Sequence, residues 1–309
     1  MKQPDYQYLF GPVPSRLFGR SLGIDLTPHK TCSLDRVFCQ LGRTRQKTLR
    51  RKVYVSTTDV ITEVENTLES DGDADYLTLS GSGEPTLHAE FGRVLTFLRN
   101  QPIPSVLLTN GSLLNLPDVR EAAALADVVK VSLSAWDQKS FEWVNRPHAR
   151  LEFGPLIDGL KAFRRAFKGQ LWLEVFLLSG INAMARDVEK IARLSRELRP
   201  DRIHLNTVVR PPAEDFAAAV PMTQLEALCS LFDPPAHIAA GFSSQRSKTI
   251  EANEATILAM IRRRHCTIEH IEAAFGMHIN EASKYLGLLI KKDQIRADRK
   301  NQAVYYAAR

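Results

Sequence analysis

The feature that most restricts the fold is an alternation, from about residue 20 to residue 232, of strand-length apolar runs with helix-length segments whose apolar residues recur at helical spacing. The runs at 22–26, 76–80, 105–109, 128–133, 172–178 and 202–206 read as strands; 57–69, 87–100, 116–125, 153–167, 185–198 and 223–232 read as the helices between and after them. In the first helix Val60, Ile61, Val64 and Leu68 fall on one face, which has to be buried against the sheet. Strands joined through helices pair in parallel, so the predicted class is α/β, built of repeated βα units.

With 309 residues, 44% of them apolar, the chain is long enough for one large α/β domain and a small second one. No apolar run approaches a membrane span, and MKQPDYQYLF has neither an apolar signal core nor a basic amphipathic presequence; the expectation is a cytoplasmic protein with no membrane contact. Four scattered cysteines, Cys32, Cys39, Cys229 and Cys266, do not make a disulfide framework. Cys229, in an apolar helical run, and Cys266, between helices, read as packed structural thiols.

Cys32 and Cys39 share the loop that leaves the first strand, TCSLDRVFCQLGR at 31–43. By itself a C-x6-C pair reads as two packed or surface thiols. Its surroundings add more: FGPVPSRLFGRSLGIDL at 10–26 precedes the loop, and Gln40, Leu41, Gly42 and Arg43 close it. Residues 8 to about 212 resemble the radical S-adenosylmethionine superfamily, in the branch that includes the tRNA 4-demethylwyosine synthases. That resemblance implies a partial (β/α)6 TIM-type barrel, and a 4Fe-4S cluster held by a C-x3-C-x2-C loop whose open iron binds S-adenosylmethionine. Cys32 and Cys39 stand at the outer metal-ligand positions; the middle one is Arg36. Guanidinium stays protonated and has no lone pair to donate to iron. His29 and Asp35 are the nearest alternative donors in sequence, though neither stands at the vacant position.

In such a barrel, chemistry gathers on loops at the carboxyl ends of strands. Polar clusters follow the predicted strands there: the cysteine loop, Gly81-Ser82-Gly83-Glu84-Pro85-Thr86, Thr109-Asn110-Gly111, Ser132-Leu133-Ser134, and Asn206. Each pattern alone also reads as an ordinary turn. The resemblance makes Gly81, Gly83, Glu84, Thr109, Asn110, Ser132 and Ser134 the cofactor-binding set, with Glu84 facing the ammonium of the methionine moiety and the hydroxyl and amide side chains facing ribose or carboxylate. Arg146, near His148, and Arg210 are candidate clamps for a carboxylate or phosphate, or else surface ion-pair partners.

The tail has a different rhythm. Helices around Ile257, Leu258 and Ile261, then from Thr267 to the stop at Gly276, then from a cap at Asn280, lead into a hairpin with a DRKN turn at 298–301. This is the pattern of a winged helix-turn-helix. The expected division is a barrel domain at 1–232, a linker at 233–250 and a winged helix domain at 251–309.

Charge is concentrated at both ends. Residues 1–52 carry eleven Lys/Arg against three Asp/Glu, and residues 250–309 ten against seven. A nucleic acid is the expected partner, reached through Lys284, Lys291, Lys292, Arg296, Arg299 and Lys300 of the tail together with the basic segment at 43–52. A solvated loop and a protein-docking winged helix are the alternatives.

Two functions are left open. One, implied by the resemblance, is an iron-sulfur enzyme that cleaves S-adenosylmethionine reductively, with an electron donor such as flavodoxin or ferredoxin, and acts on a macromolecule such as RNA. The other is a non-catalytic, nucleic-acid-binding regulator that keeps a nucleoside pocket without the cluster. The residues single out no catalytic group.

Overall fold

The computed structural model describes residues 6–70, 74–239, 252–263, 265–300 and 303–309. Eight strands form one sheet in sequence order: β1 (Leu9–Ser15), β2 (Gly19–Ile24), β3 (Tyr76–Leu79), β4 (Ser105–Thr109), β5 (Val128–Ser132), β6 (Gln170–Phe176), β7 (Arg202–Asn206) and β8 (His237–Ile238). From β2 onward every neighbouring pair is parallel; only β1 runs antiparallel, against β2. Helices α1 (Thr57–Glu69), α2 (Phe91–Arg99), α3 (Pro117–Ala123), α4 (Gln138–Asn145), α5 (Phe153–Ala166), α6 (Ala185–Leu198) and α7 (Met222–Cys229) lie in the connections.

The six expected strands are β2 to β7, and the sheet carries one further strand at each edge. The first carries Gly11, Pro12 and Pro14, residues disfavoured in a central strand, but an edge strand tolerates proline where its N–H has no partner to meet. The second is two residues long and follows Pro234-Pro235. The second helix also begins later than expected, at Phe91, because Pro85–Leu87 first forms a 3-10 turn.

The sheet edges come within reach of one side chain. Arg16, in the turn between β1 and β2, donates through Nη1 to the carbonyl of Ala239 at 2.7 Å and to Asn206 Oδ1 at 3.4 Å. At the amino ends of the strands Phe18 stacks on Trp172 at 5.0 Å and meets Tyr76 edge-on at 5.4 Å, with Val106 and Val128 alongside. The barrel is thus plugged at one end and lined by polar residues toward the other.

The C-terminal segment folds as α8 (Glu254–Arg263), α9 (Ile268–Phe275), α10 (Ile279–Lys291) and a hairpin of β9 (Ile295–Lys300) with β10 (Ala303–Ala308). It has its own core of Ile257, Ile261, Ile271, Phe275, Leu286 and Leu289. Thr267 caps α9 by accepting from His270 N–H, and Gly276 ends that helix at φ 62°. The cap of α10 differs from expectation: His278, not Asn280, takes the capping position, and its ring accepts from the Asn280 N–H. Asp298, Arg299 and Lys300 belong to β9 rather than to a turn. Helix α8 packs on β1. Of the expected linker, 233–250, residues 240–250 lie outside the described residues. Among the described residues no helix is long and apolar enough to cross a membrane.

Candidate ligand-binding site

The inner face of the barrel encloses a cavity of ≈ 300 Å³. Its floor is Phe18; its walls carry Ser21 of β2, Thr78 of β3, Lys130 and Ser132 of β5 and Glu174 of β6; Met260 of α8 closes one side. Alternation along a strand puts every second residue on this face, which is why isolated polar residues in the apolar runs VVKVS and LWLEVF meet inside.

At the mouth, Gly81, Gly83, Glu84, Thr109, Asn110 and Ser132 all line the cavity. Six of the seven predicted cofactor-contacting residues therefore converge. Ser134 does not line it: it is buried, and its hydroxyl accepts from the Phe176 N–H at 3.0 Å. Glu84 is 2% exposed and organises the rim. Its Oε1 accepts from the Thr86 N–H and hydroxyl at 3.2 and 2.7 Å and from the Thr109 hydroxyl at 2.5 Å, and its Oε2 accepts from the Asn110 N–H at 2.8 Å. One carboxylate thus ties the ends of β3 and β4 together.

The two loop glycines are required by packing within the rim. A Cβ at Gly81 would lie 1.9 Å from Asp25 Oδ1, and one at Gly83 would lie 2.0 Å from the carbonyl oxygen of Thr31. Gly83→Ala is expected to cost about 2 kcal/mol or more, because backbone on the cysteine loop must move. Gly154→Ala, where nothing lies within 4 Å of the added carbon, is expected to be neutral or slightly stabilising. Denaturant unfolding of the two variants checks the contrast.

Arg36 reaches into the cavity beneath this rim. Its Nη1 donates to the Ser132 hydroxyl at 3.4 Å, and its guanidinium lies 5.3 Å from the centre of the Phe38 ring, which stacks on Phe176 at 4.0 Å. Burial works against its charge, but Cys39, Cys32, Glu174 and Glu84 outweigh it and raise the pKa, so Arg36 is a fixed cation. Burial pushes the Cys32 thiol up, with Glu84 adding to the rise. For Cys39 burial is outweighed by Arg36 and by Lys30, whose ammonium lies 3.2 Å from Sγ, and the thiol is lowered. Asn110 Nδ2 approaches Cys32 Sγ at 3.6 Å.

Deeper in, Lys130 and Glu174 pair at 2.5 Å. Burial opposes ionisation of Glu174, but Lys130, Arg36 and Arg16 prevail and bring it down to about 2. Asn206 Nδ2 also donates to Glu174 Oε1, at 3.3 Å. Beside the pair, burial and the nearby Lys130 charge lower His204 to about 4, so its ring is neutral. The sequence reading passed over Lys130 and Glu174. The available signal was a single charge of each sign in the middle of two central strands, where an unpaired charge is not tolerated.

A cubane cluster needs three thiolates converging from one short loop. Here the loop offers two thiols and, between them in sequence, a buried cation that cannot bind iron. Asp35 is committed elsewhere: Oδ1 accepts from the Thr44 N–H at 2.6 Å, and Oδ2 faces Arg43 and Arg146 at 3.6 and 3.8 Å. Among the described residues no group of three or more His, Cys, Asp or Glu could hold a metal ion. The donor set does not fit the cluster. The two predicted clamps lie outside this cavity's lining: Arg146 pairs with Glu214, and Arg210 donates to Gln40 Oε1 at 3.3 Å.

No family model matches the chain. It is 36% identical over 226 residues to a UPF0026 protein of Methanocaldococcus jannaschii, covering 72% of this chain and 70% of that protein. A UPF0026 protein of Helicobacter pylori J99 is 31% identical over 315 residues, with both chains covered completely. It is also 33% identical over 304 residues to a Brachyspira hyodysenteriae protein named GTPase Obg, but spans only 45% of that protein's length. The chain itself contains no G-x4-G-K-S/T phosphate-binding run.

Solved structures share the fold, among them the following. A radical SAM methyltransferase from Sphaerobacter thermophilus superposes with TM-score 0.56 at 17% identity, over 72% of this chain and 67% of its own. TYW1 with a lysine-pyruvate adduct bound gives 0.55 at 16% identity, over 70% and 74%. Streptococcus suis SuiB bound to S-adenosylmethionine gives 0.52 at 16% identity, over 67% and 45%. The barrel is radical-SAM-like.

Proposed function

We propose, from the premise that this chain belongs to the UPF0026 protein family, that its barrel binds S-adenosylmethionine through Arg36 rather than through an iron-sulfur cluster. The single observation that carries this reading is the Arg36 guanidinium, which lines the cavity beside Glu84 and Glu174 and donates to the Ser132 hydroxyl at 3.4 Å. In the expected enzyme the ligand carboxylate and ammonium would sit on iron. A guanidinium recognises a carboxylate by paired hydrogen bonds, and no electron has to arrive for that contact to form.

The cavity offers complementary chemistry for the rest of the molecule. Glu174 presents a carboxylate to a sulfonium or ammonium, Ser132 and Thr109 lie at the tips of adjacent strands where ribose hydroxyls would contact them, and Phe10 and Phe18 supply apolar wall for a purine. Pockets of this size with a few converging polar groups bind small molecules. The chain's own residues bind and orient the ligand and exclude water; reductive cleavage, and with it the need for a flavodoxin or ferredoxin, is not part of this reading.

The test is thermal unfolding in the presence of a metal chelator. S-adenosylmethionine at one hundred times its dissociation constant should stabilise the chain by about 2.7 kcal/mol and raise its midpoint accordingly. Methionine or adenosine alone at the same concentration should do less, since each makes only half of the contacts. No shift with the full molecule contradicts the reading.

A further inference from the structure

A second concavity, of ≈ 770 Å³, lies beside the cysteine loop, lined by 29–31 and by residues between 41 and 54. Residues 29–54 carry eight Lys/Arg and one acidic residue, Asp35, which does not line the groove. We propose that this groove docks the phosphodiester backbone of a nucleic acid strand and brings it to the barrel mouth.

Most of the cations lining the groove have no carboxylate partner among the described residues. Several basic side chains elsewhere are ion-paired: Arg20 with Asp75, Arg51 with Asp118, Arg93 with Glu90, Lys161 with Glu197 and Arg164 with Asp201. Of the groove's cations, Arg43 alone has acidic partners among the described residues, Glu214 and Asp35. Lys30 and Lys47 donate to backbone carbonyls, of Gly42 at 2.6 Å and Arg146 at 3.0 Å. These bonds fix the two ammonium groups in place without cancelling their charge. Arg45, Arg50 and Lys52 are exposed, and among the described residues none has a carboxylate within ion-pair distance.

Holding like charges together in one concavity costs repulsion, which a row of phosphates relieves, while the cations displace counterions condensed on the nucleic acid. The groove also adjoins the site. Lys30 lines it while its ammonium contacts Cys39, and Thr31 lines it while its carbonyl accepts the Glu84 N–H at 2.8 Å. A bound strand would run past the mouth. The C-terminal unit is the weaker surface: Lys292 pairs with Glu254 and Arg296 with Asp298, while Leu288 and Ile290 of α10 are 46% and 44% exposed.

The experiment is fluorescence anisotropy of the full chain with short labelled oligoribonucleotides and oligodeoxyribonucleotides of one mixed sequence, titrated across a range of salt. Arg45, Arg50 and Lys52 replaced together by alanine should lower the magnitude of the log-log salt slope by about 2, at about 0.7 per contact on a single strand. Lys284, Lys291 and Arg299 replaced together should change it little. A tighter hold on the ribose form assigns the strand as RNA, and equal affinity as either nucleic acid by its backbone alone; both support the groove. An unchanged slope in the groove variant, loss only in the tail variant, or equal affinity for a polyglutamate peptide overturns the proposal. The three groove residues lie outside the barrel cavity, so an unchanged response to S-adenosylmethionine in that variant separates this test from the reading of the barrel.

Discussion

Arg36→Cys is expected to turn a chain that retains little iron after anaerobic reconstitution into one that retains about four irons and an air-sensitive visible absorption band, because it completes the set of three thiolates. The effect should be large, since one substitution both removes a buried cation and adds the missing donor. Cys32 and Cys39 already lie on one short loop that is anchored by backbone bonds, Cys39 N–H to the Arg36 carbonyl at 3.0 Å and Thr48 N–H to the Cys32 carbonyl at 3.0 Å. Metal counting and electron paramagnetic resonance of both proteins, prepared side by side, check it. A full cluster in the natural chain would mean that another donor completes the site, and Arg36→Cys would then change little.

Lys130→Met should destabilise the chain by about 3 kcal/mol, the low end of the cost of leaving one member of a buried ion pair without its partner, because this pair is only partly buried. The double change Lys130→Met with Glu174→Gln should recover much of that loss, because it removes the stranded charge. The pH dependence has a definite sign. Glu174 is held at about 2 against an ordinary 4.5, so the stability it contributes is present above about pH 4.5 and is lost as pH falls toward 2. Without Lys130 that contribution disappears, and the gap between natural chain and variant should be wide near neutrality and narrow across this window. Denaturant unfolding at several pH values measures it; a gap independent of pH would place the pair's effect elsewhere.

Strands β2 to β7 were legible because each is a run of apolar residues bounded by turns and followed by a helix of period 3.6; β4 and β7 fall on their expected bounds, whereas the two-residue parallel strand β8 was not legible. The rim was legible for the same reason, since the residues after a parallel strand all emerge on one side. β1 was not, because its backbone is held by one neighbour and its prolines imitate a turn. The lumen was legible only in part. Glu84 could be placed on the rim from its loop, but its contacts with Thr109 and Asn110 depend on two strands lying side by side. Arg36 showed in the sequence as a missing thiolate; that it lines the cavity beside Ser132 and Phe38 is visible only in the folded chain.

Calorimetric titration of the metal-stripped chain with S-adenosylmethionine and with its carboxyl methyl ester, repeated on Arg36→Met, tests the exchange of cluster for guanidinium most directly. Binding near one molecule per chain without iron is predicted, weakened about tenfold or more by esterifying the carboxylate and by Arg36→Met, with little further loss when the two are combined. Absence of binding until iron is restored, or an ester and a variant that bind as tightly as the natural pair, would contradict it.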